Sequence, residues 1–241
     1  MVESIALYNK VKSVAQSYDN VTWVRSAVDG VKAQQEGVVV SSGSHSWEVK
    51  QLFDSRPPTI KEPMGPLVLQ SFVGWRVKLQ EDYWTPNQMT LMDFGIPQNG
   101  FTQFMYVLPT DSKEALVEMT RFGSEQLPHE LASNHLRNYL LSRGLSIEIL
   151  HEERGTIPMT QYAEIKNQDA RIISTGARAG KIKSTTGYAF KSMFEHAKEL
   201  AGGIAQERKE SSWLRLPKSE MDRFNFYDHL LLHILKHKPH W

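Results

Sequence analysis

The chain has 241 residues, of which 40% are hydrophobic and 23% charged, a composition typical of globular rather than disordered proteins. A formal net charge of +1 gives no broad electrostatic attraction to nucleic acid. The absence of cysteine excludes disulfides, thiolate metal sites and a cysteine nucleophile.

The first third of the chain combines one helical pattern with several strand patterns. Apolar residues at helical spacing predict an amphipathic helix over residues 4–18. Gly74 permits a bend or a close backbone approach within a long strand pattern. The extended segments predicted here are a strand at 21–24, a hairpin over 36–50, a strand ending before Pro57-Pro58, a proline-rich crossing at 57–66 and a strand at 67–79.

Residues 91–122 are predicted to form three strands joined by two turns. Asn99-Gly100 tolerates the positive φ angles of a tight hairpin, and residues 110–113 break the chain again. Because side chains alternate along a strand, one face of the last strand carries Leu116, Glu118, Thr120 and Phe122.

Glu118 is therefore a carboxylate among apolar side chains. Burial disfavours the charged form and raises a carboxyl pKa, so Glu118 could donate a proton near neutral pH. From the residues alone, two alternatives stand beside this one: Glu118 faces solvent, or it pairs with Arg121.

The rest of the chain alternates helices and short strands. The patterns predict a helix over 128–143 closed by Gly144, strands at 145–151 and 171–175, and helices at 189–207 and 219–236. Strands interleaved with a few helices indicate a mixed α/β or α+β architecture.

Two further patterns have both a functional and a structural interpretation. The glycine stretch 176–187, between a strand and a helix, is either a phosphate cradle or a structural turn. The aromatic residues around 72–106 either shelter a cation or form core. His229, His233 and His237 share a helix face, but a solvated polar face is favoured and no metal is predicted.

The order of several short motifs resembles the flavin-dependent lycopene cyclase family of bacteria and plants. The resemblance covers nearly the whole chain and rests on the joint order of the motifs. The matching stretches are Phe53–Pro58, Gln70–Val77, Leu91–Phe94, Tyr106–Pro109, Leu116–Thr120, Gly155–Met159, the glycine stretch 176–188 and Arg223–Leu232.

The resemblance implies an α/β (α+β) chain with a partial FAD-dependent oxidoreductase-like fold: a mixed sheet with helices and an antiparallel substrate sheet. Residues 1–56 would be a remnant of the FAD-binding domain, 57–165 the substrate-binding sheet domain, and 166–241 the return to the FAD-binding domain with C-terminal helices. Compared with the family, the N-terminal strand–glycine loop–helix unit is missing and the chain is expected to be truncated at both ends. A partner supplying the missing unit is therefore expected.

The resemblance also implies an activity: acid-initiated, non-redox cyclisation of the ends of lycopene to β-ionone rings in carotenoid biosynthesis. This is an intramolecular lyase reaction of the isomerase class, assisted by reduced FAD, with NADPH as an indirect reductant. Glu118 would protonate a terminal double bond of the polyene. The residues expected along the flavin are Gly176, Arg178, Gly180, Thr186 and Gly187. The residues expected against the substrate are Phe72, Trp75, Phe104 and Tyr106.

One position departs from the family pattern. The family usually has a second acid directly after the first, where this chain has Met119. If the chemistry needs both acids, the cyclase activity of this chain is impaired. Two other functions also remain open: a flavin monooxygenase-like oxidoreductase, and a non-catalytic remnant that binds carotenoid or a partner, which the missing nucleotide-binding unit suggests.

The expected location is cytoplasmic with peripheral contact to a membrane surface, because a polyene substrate resides in a bilayer. The amphipathic segment 213–236 is the candidate anchor, with ordinary packing of a terminal helix as the alternative. No nucleic acid partner is expected.

Overall fold

The computed structural model describes residues 4–56, 65–160, 169–206 and 218–238. Chain contacts divide the protein into two compact units, one made of residues 1–52 with 171–173 and the other of the remainder. The helices are α1 (Ser4–Gln16), α2 (His129–Leu141), α3 (Phe190–Ala205) and α4 (Lys218–His237), with a 3₁₀ turn at Gly176–Ala179. The strands are β1 (Gly30–Ala33), β2 (Val38–Ser42), β3 (His45–Val49), β4 (Leu52–Asp54), β5 (Val68–Leu79), β6 (Thr90–Asp93), β7 (Thr102–Pro109), β8 (Glu114–Gly123), β9 (Ile147–Met159) and β10 (Ile172–Ser174).

These elements confirm most of the secondary structure predicted from the sequence and the mixed α/β class. The strand predicted at 21–24 is wrong, because these residues lie outside every strand that the structure describes. The strand predicted at 145–151 continues to Met159. Most of the proline-rich crossing, residues 57–64, and residue Trp213 of the candidate anchor lie outside the described residues.

The first unit contains α1 and a three-stranded antiparallel sheet in the order β1-β2-β3. The predicted hairpin is confirmed: β2 and β3 pair through a turn at Gly43, whose φ of +56° favours glycine. Within the described part of the chain, α1 buries none of its residues. Its amphipathic pattern thus leaves apolar side chains such as Ile5 and Tyr8 exposed.

The second unit is built on a five-stranded antiparallel sheet in the order β6-β7-β8-β5-β9. The turn between β6 and β7 uses Asn99 and Gly100, both with positive φ, as the Asn-Gly pair predicts. In this order β8 is the central strand, with β7 on one side and β5 on the other.

One face of this sheet, the α2 face, is an apolar core. Alternate residues of three strands point there and pack against the apolar side of α2, including Leu136 and Leu140. The sheet residues of the α2 face are Val73, Trp75, Val77, Met105, Val107, Ala115, Val117 and Met119. Complete burial of a side chain of this size contributes about 1.5–3 kcal/mol, so this face supplies much of the stability of the unit.

The opposite face, the Glu118 face, mixes aromatic and polar side chains. At one end α4 covers it, and Leu232 packs with Val68, Phe122 and Met159. The strand register places on this face Gln70, Phe72, Gly74, Phe104, Tyr106, Leu116, Glu118, Thr120, Phe122, Glu153, Gly155 and Ile157.

Candidate active site

Glu118 lies on the central strand, opposite Tyr106 of β7 and Gly74 of β5. Its side chain is half-buried, and the Thr120 hydroxyl donates a hydrogen bond of 2.7 Å to its Oε1 atom. Burial raises the pKa of Glu118 to about 7; the Thr120 hydrogen bond opposes this shift, and the charge of Glu153 adds to it. The carboxyl therefore remains protonated for a large part of the time at neutral pH.

The alternative in which Glu118 pairs with Arg121 is wrong. Alternation along β8 sends Arg121 to the α2 face, where its guanidinium donates to the Gln126 carbonyl at 2.9 Å and stacks over Phe101 at 4.2 Å. Among the described residues, Glu118 takes part in no ion pair.

Three of the four aromatic residues expected against the substrate share the Glu118 face. The ring of Phe72 lies over Gly155, where an added Cβ would come within 2.6 Å of the ring. Phe104 is 0% exposed and packs edge-on against Tyr106 at 5.0 Å. Tyr106 is thus the cross-strand neighbour of Glu118 and is supported by Phe104 from within the core, whereas the ring of Phe72 lies on the same face but towards β9.

The fourth aromatic residue, Trp75, does not join them. It is 2% exposed on the α2 face, and its indole Nε1 donates to Glu152 Oε2 at 2.9 Å. Phe72 and Trp75 are three residues apart on one strand, so their side chains point to opposite faces. The sequence already contained this signal, and grouping the two by aromatic character alone obscured it.

The glycine stretch forms the 3₁₀ turn after β10 and a second turn before α3. Gly176, Gly180 and Gly187 have φ angles of +60°, +66° and +68°, a region that favours glycine. A Cβ at Gly187 would lie 3.3 Å from Ile157 Cγ2 and 3.7 Å from Gln70 Oε1. The second turn therefore rests on the Glu118 face.

Tyr188 extends this contact towards the candidate acid. Its hydroxyl lies 3.3 Å from the hydroxyl of Tyr106, and its backbone N–H donates to Thr186 Oγ1. Burial and the hydrogen bond to Tyr188 raise the pKa of Tyr106, so its hydroxyl stays protonated beside Glu118.

Arg178 is bound within the protein. Its Nε lies 3.1 Å from Oδ2 of the buried Asp54, which also accepts two hydrogen bonds from the Arg56 guanidinium. Although burial opposes it, these hydrogen bonds and the charge of Arg178 lower the pKa of Asp54. The two arginines hold a buried carboxylate at the start of the glycine stretch.

A second buried carboxylate fastens α4 to the turn before α3. Asp228 Oδ1 accepts hydrogen bonds from Lys183 Nζ at 2.6 Å and from Thr185 Oγ1 at 3.0 Å. This contact fixes the segment that carries Gly187 and Tyr188 over the sheet.

Sequence reasoning missed Glu153 and Tyr188. Glu153 lies in a stretch of β9 that is rich in charge and reads as a loop, and only the strand pairing places it on the Glu118 face. Tyr188 lay inside a motif of the resemblance, but its contact with Tyr106 joins residues 82 positions apart and leaves no local signal.

The family model described as Lycopene cyclase protein matches residues 1–235. Lycopene beta-cyclase of Pantoea ananas is 29% identical over 177 residues, covering 69% of this chain and 44% of that protein. Lycopene beta-cyclase of Pseudescherichia vulneris is 30% identical over 127 residues, covering 50% of this chain and 32% of that protein. The chain spans less than half the length of these curated relatives.

Solved structures with a similar fold include a geranylgeranyl bacteriochlorophyll reductase-like protein from Thermoplasma acidophilum. It has a TM-score of 0.63 and 12% identity, and the match covers 95% of this chain and 62% of that one. BrvH, a flavin-dependent halogenase from Brevundimonas sp. BAL3, has a TM-score of 0.58 and 13% identity, covering 96% of this chain and 46% of that one. These similarities confirm the expected fold type. The match over residues 1–235 shows that the chain belongs to the lycopene cyclase family.

Proposed function

We propose that the chain acts as a lycopene cyclase that isomerises the linear ends of lycopene to β-ionone rings by acid catalysis. The observation that carries this proposal is the position of Glu118, a carboxyl with a pKa of about 7 beside Tyr106 and on the same face of the sheet as Phe72. The named relatives, both lycopene beta-cyclases, support the choice of substrate.

In the proposed mechanism protonated Glu118 transfers its proton to one carbon of a terminal double bond. The electron pair of that bond forms the new C–H bond and leaves a tertiary cation. A second double bond supplies its electrons to close a six-membered ring, and loss of a neighbouring proton restores a double bond. Substrate and product thus contain the same atoms, and no electrons are gained or lost overall.

The residues around Glu118 serve this sequence in two ways. Aromatic faces attract cations, so the rings of Phe72 and Tyr106 would stabilise the positive charge as it develops. Apolar neighbours such as Leu116 would exclude water, which would otherwise capture the cation as an alcohol.

We propose that FAD in its reduced form binds along the glycine stretch. A Cβ at Gly176 would find no atom closer than Met193 Cε at 3.7 Å, so the backbone there is open beside a groove of about 420 Å³. Gly176 lines this groove together with apolar side chains such as Met193 and Leu200, and the main chain at Gly176, Gly180, Thr186 and Gly187 would hold the flavin. Arg178, whose Nε lies beside Asp54, would also lie along the flavin. When bound, reduced flavin supplies electron density that stabilises a nearby cation, and NADPH would be its indirect source of electrons.

We also propose that the protein contacts a membrane surface from the cytoplasmic side, because lycopene partitions into lipid. Among the described helices, none combines the length and hydropathy needed to span a bilayer. One side of α4 exposes the apolar residues Phe224, Phe226, Tyr227, Leu230, Leu231 and Ile234, while Asp228 and Leu232 are buried. Co-sedimentation with anionic vesicles, lost in Phe226→Glu, would test this contact.

A comparison of Glu118→Gln with wild type tests the cyclase activity. The chain is supplied with reduced FAD and lycopene in liposomes, and cyclic carotenes are separated by chromatography. Glu152→Gln is the matched control, since it neutralises a glutamate on the opposite face of the same sheet. We expect product from wild type and the control and none from Glu118→Gln.

Equal product formation by Glu118→Gln would contradict the proposal, and so would flavin-dependent oxygen uptake without cyclisation. The second result would indicate a flavin monooxygenase-like oxidoreductase. Restoration of activity by a separate chain with a glycine-rich nucleotide-binding unit would support the expected partner.

A further inference from the structure

The row of cross-strand partners that contains Glu118 includes one residue without a side chain, and we call this position the gap. Gly74 of β5 lies between Glu118 of β8 and Glu153 of β9, and it is the Cα partner of both. Since Gly74 has no side chain, nothing of its own separates the two glutamates on the Glu118 face.

The side chain of Glu153 extends into this gap. A Cβ built on Gly74 would lie 3.1 Å from Glu153 Cγ and 3.4 Å from Glu153 Oε1. From the other side, Leu116 Cδ1 lies 3.2 Å from the same point. Glu153 thus reaches across β5 towards the central strand. Two strand spacings separate the glutamate backbones by about 10 Å, a span that two glutamate side chains largely close.

Among the described residues, the charged groups on the Glu118 face nearest this row either bind another partner or lie further along their strands. Arg76 of β5 binds Glu114 at 3.4 Å, and Lys183 of the turn binds Asp228 at 2.6 Å. The hydroxyls of Tyr106 of β7 and Tyr188 of the turn lie 3.3 Å apart, and His151 lies further along β9 as the partner of Arg76. None of these groups forms an ion pair with Glu153 among the described residues, so the negative charge of Glu153 can act on Glu118.

We propose that Glu118 and Glu153 form an acid pair across Gly74, in which the carboxylate of Glu153 keeps the proton on Glu118. Glu118 is half-buried whereas Glu153 is exposed, and a negative charge close to a half-buried carboxyl disfavours its ionised form. Glu153 is thus a positioning residue for the proton, and its role in catalysis rests on the proposed cyclase function.

This pair also accounts for the departure at Met119. The alternation of β8 turns position 119 to the α2 face, where Met119 is completely buried. An acid there would lie on the other side of the sheet from Glu118. Glu153 is the carboxyl that strand pairing brings to the Glu118 face instead.

Titration of the Glu118 carboxyl tests the pair without flavin or lycopene. The protonated carbonyl band of Glu118 is identified in infrared difference spectra as the band that Glu118→Gln removes. Glu153→Gln removes a negative charge, so it should shift the titration midpoint of Glu118 downwards, and Glu153→Lys should shift it further. Glu152→Gln, which is one residue along and on the opposite face, should leave the midpoint in place.

An unchanged midpoint in Glu153→Gln, or an equal shift in Glu152→Gln, would overturn the pair. The outcome is separate from the cyclase assay, because the midpoint is measured on protein without substrate. If the chain also cyclises lycopene, Glu153→Gln should lose activity first near neutral pH and retain it at acidic pH. A uniform loss at every pH would contradict the proton-holding role.

Discussion

The two faces of the five-stranded sheet are made by alternate residues of the same strands, yet the side chains on the two faces differ in chemistry. On the α2 face, Val117 and Met119 are completely buried against aliphatic side chains. On the Glu118 face, one residue away, a carboxyl, two hydroxyls and aromatic rings meet under a glycine-rich turn. The comparison shows how one strand can contribute buried apolar side chains to one face and the candidate acid with its polar neighbours to the other.

The consequence is that substitutions on the two faces should have different effects. Truncation on the α2 face should lower the free energy of unfolding, whereas small polar changes on the Glu118 face should alter proton affinity and leave the fold intact. Four predictions test this division.

The largest effect on stability is expected for Leu136→Ala on α2. Leu136 is completely buried against the sheet, so its truncation leaves a cavity that should cost about 2–5 kcal/mol of unfolding free energy. Chemical denaturation measures the change. Leu131→Ala, on the exposed side of the same helix, is the matched control and should change stability by less than about 0.5 kcal/mol.

A smaller loss is expected for Asp228→Asn, which weakens the attachment of α4 to the turn before α3. The amide oxygen can still accept hydrogen bonds, but the negative charge that pairs with the Lys183 ammonium is gone, so about 1–2 kcal/mol of unfolding free energy should be lost. Limited proteolysis should then cleave the turn faster, whereas His229→Gln on the exposed side of α4 should behave as wild type. If wild type, Asp228→Asn and His229→Gln were cleaved at equal rates, Asp228 would not be the residue that holds the turn in place.

The third prediction concerns the pH dependence of stability. The pKa of Glu118 is raised in the folded state, so the native protein binds more protons than the unfolded chain between the two pKa values. This contribution to stability is present at low pH and is lost as the pH rises towards about 7. The unfolding free energy of Glu118→Gln should therefore depend less on pH than that of wild type. In alkaline solution Glu118→Gln should be the more stable protein. A parallel pH dependence of the two proteins would contradict the raised pKa.

The smallest effect is expected for Thr120→Val. The Thr120 hydroxyl donates to Glu118 and favours its charged form, so its removal should raise the pKa of Glu118 further. The alkaline limb of the activity profile should move to higher pH, opposite in sign to the shift in Glu153→Gln. Thr120→Ser keeps the hydroxyl and should leave the limb unchanged.

Local sequence pattern was enough to predict most of the elements and the candidate acid. Turn residues such as Asn99-Gly100 set the ends of the strands, and alternation placed Glu118 and Thr120 on one face. These are short-range properties, and the structure confirms them.

The rest of the candidate site depends on pairing between residues that are distant in the sequence. A single sequence contains no local signal for such pairing. Glu153 reaches the site only through the register of β5 with β9, which joins residues about eighty positions apart. The contact of Gly187 with Ile157 likewise depends on how a distant turn packs on the sheet. Trp75 is different, since strand parity alone would have placed it on the α2 face.

The central claim is that the sheet keeps one carboxyl protonated near neutral pH. Infrared titration of the wild-type protein, with the Glu118 band identified by its loss in Glu118→Gln, measures this property directly. A midpoint near the value of about 7 is the expected result. A midpoint at the ordinary glutamate value of about 4.3 would contradict the account, because Glu118 would then be a carboxylate with no proton to donate.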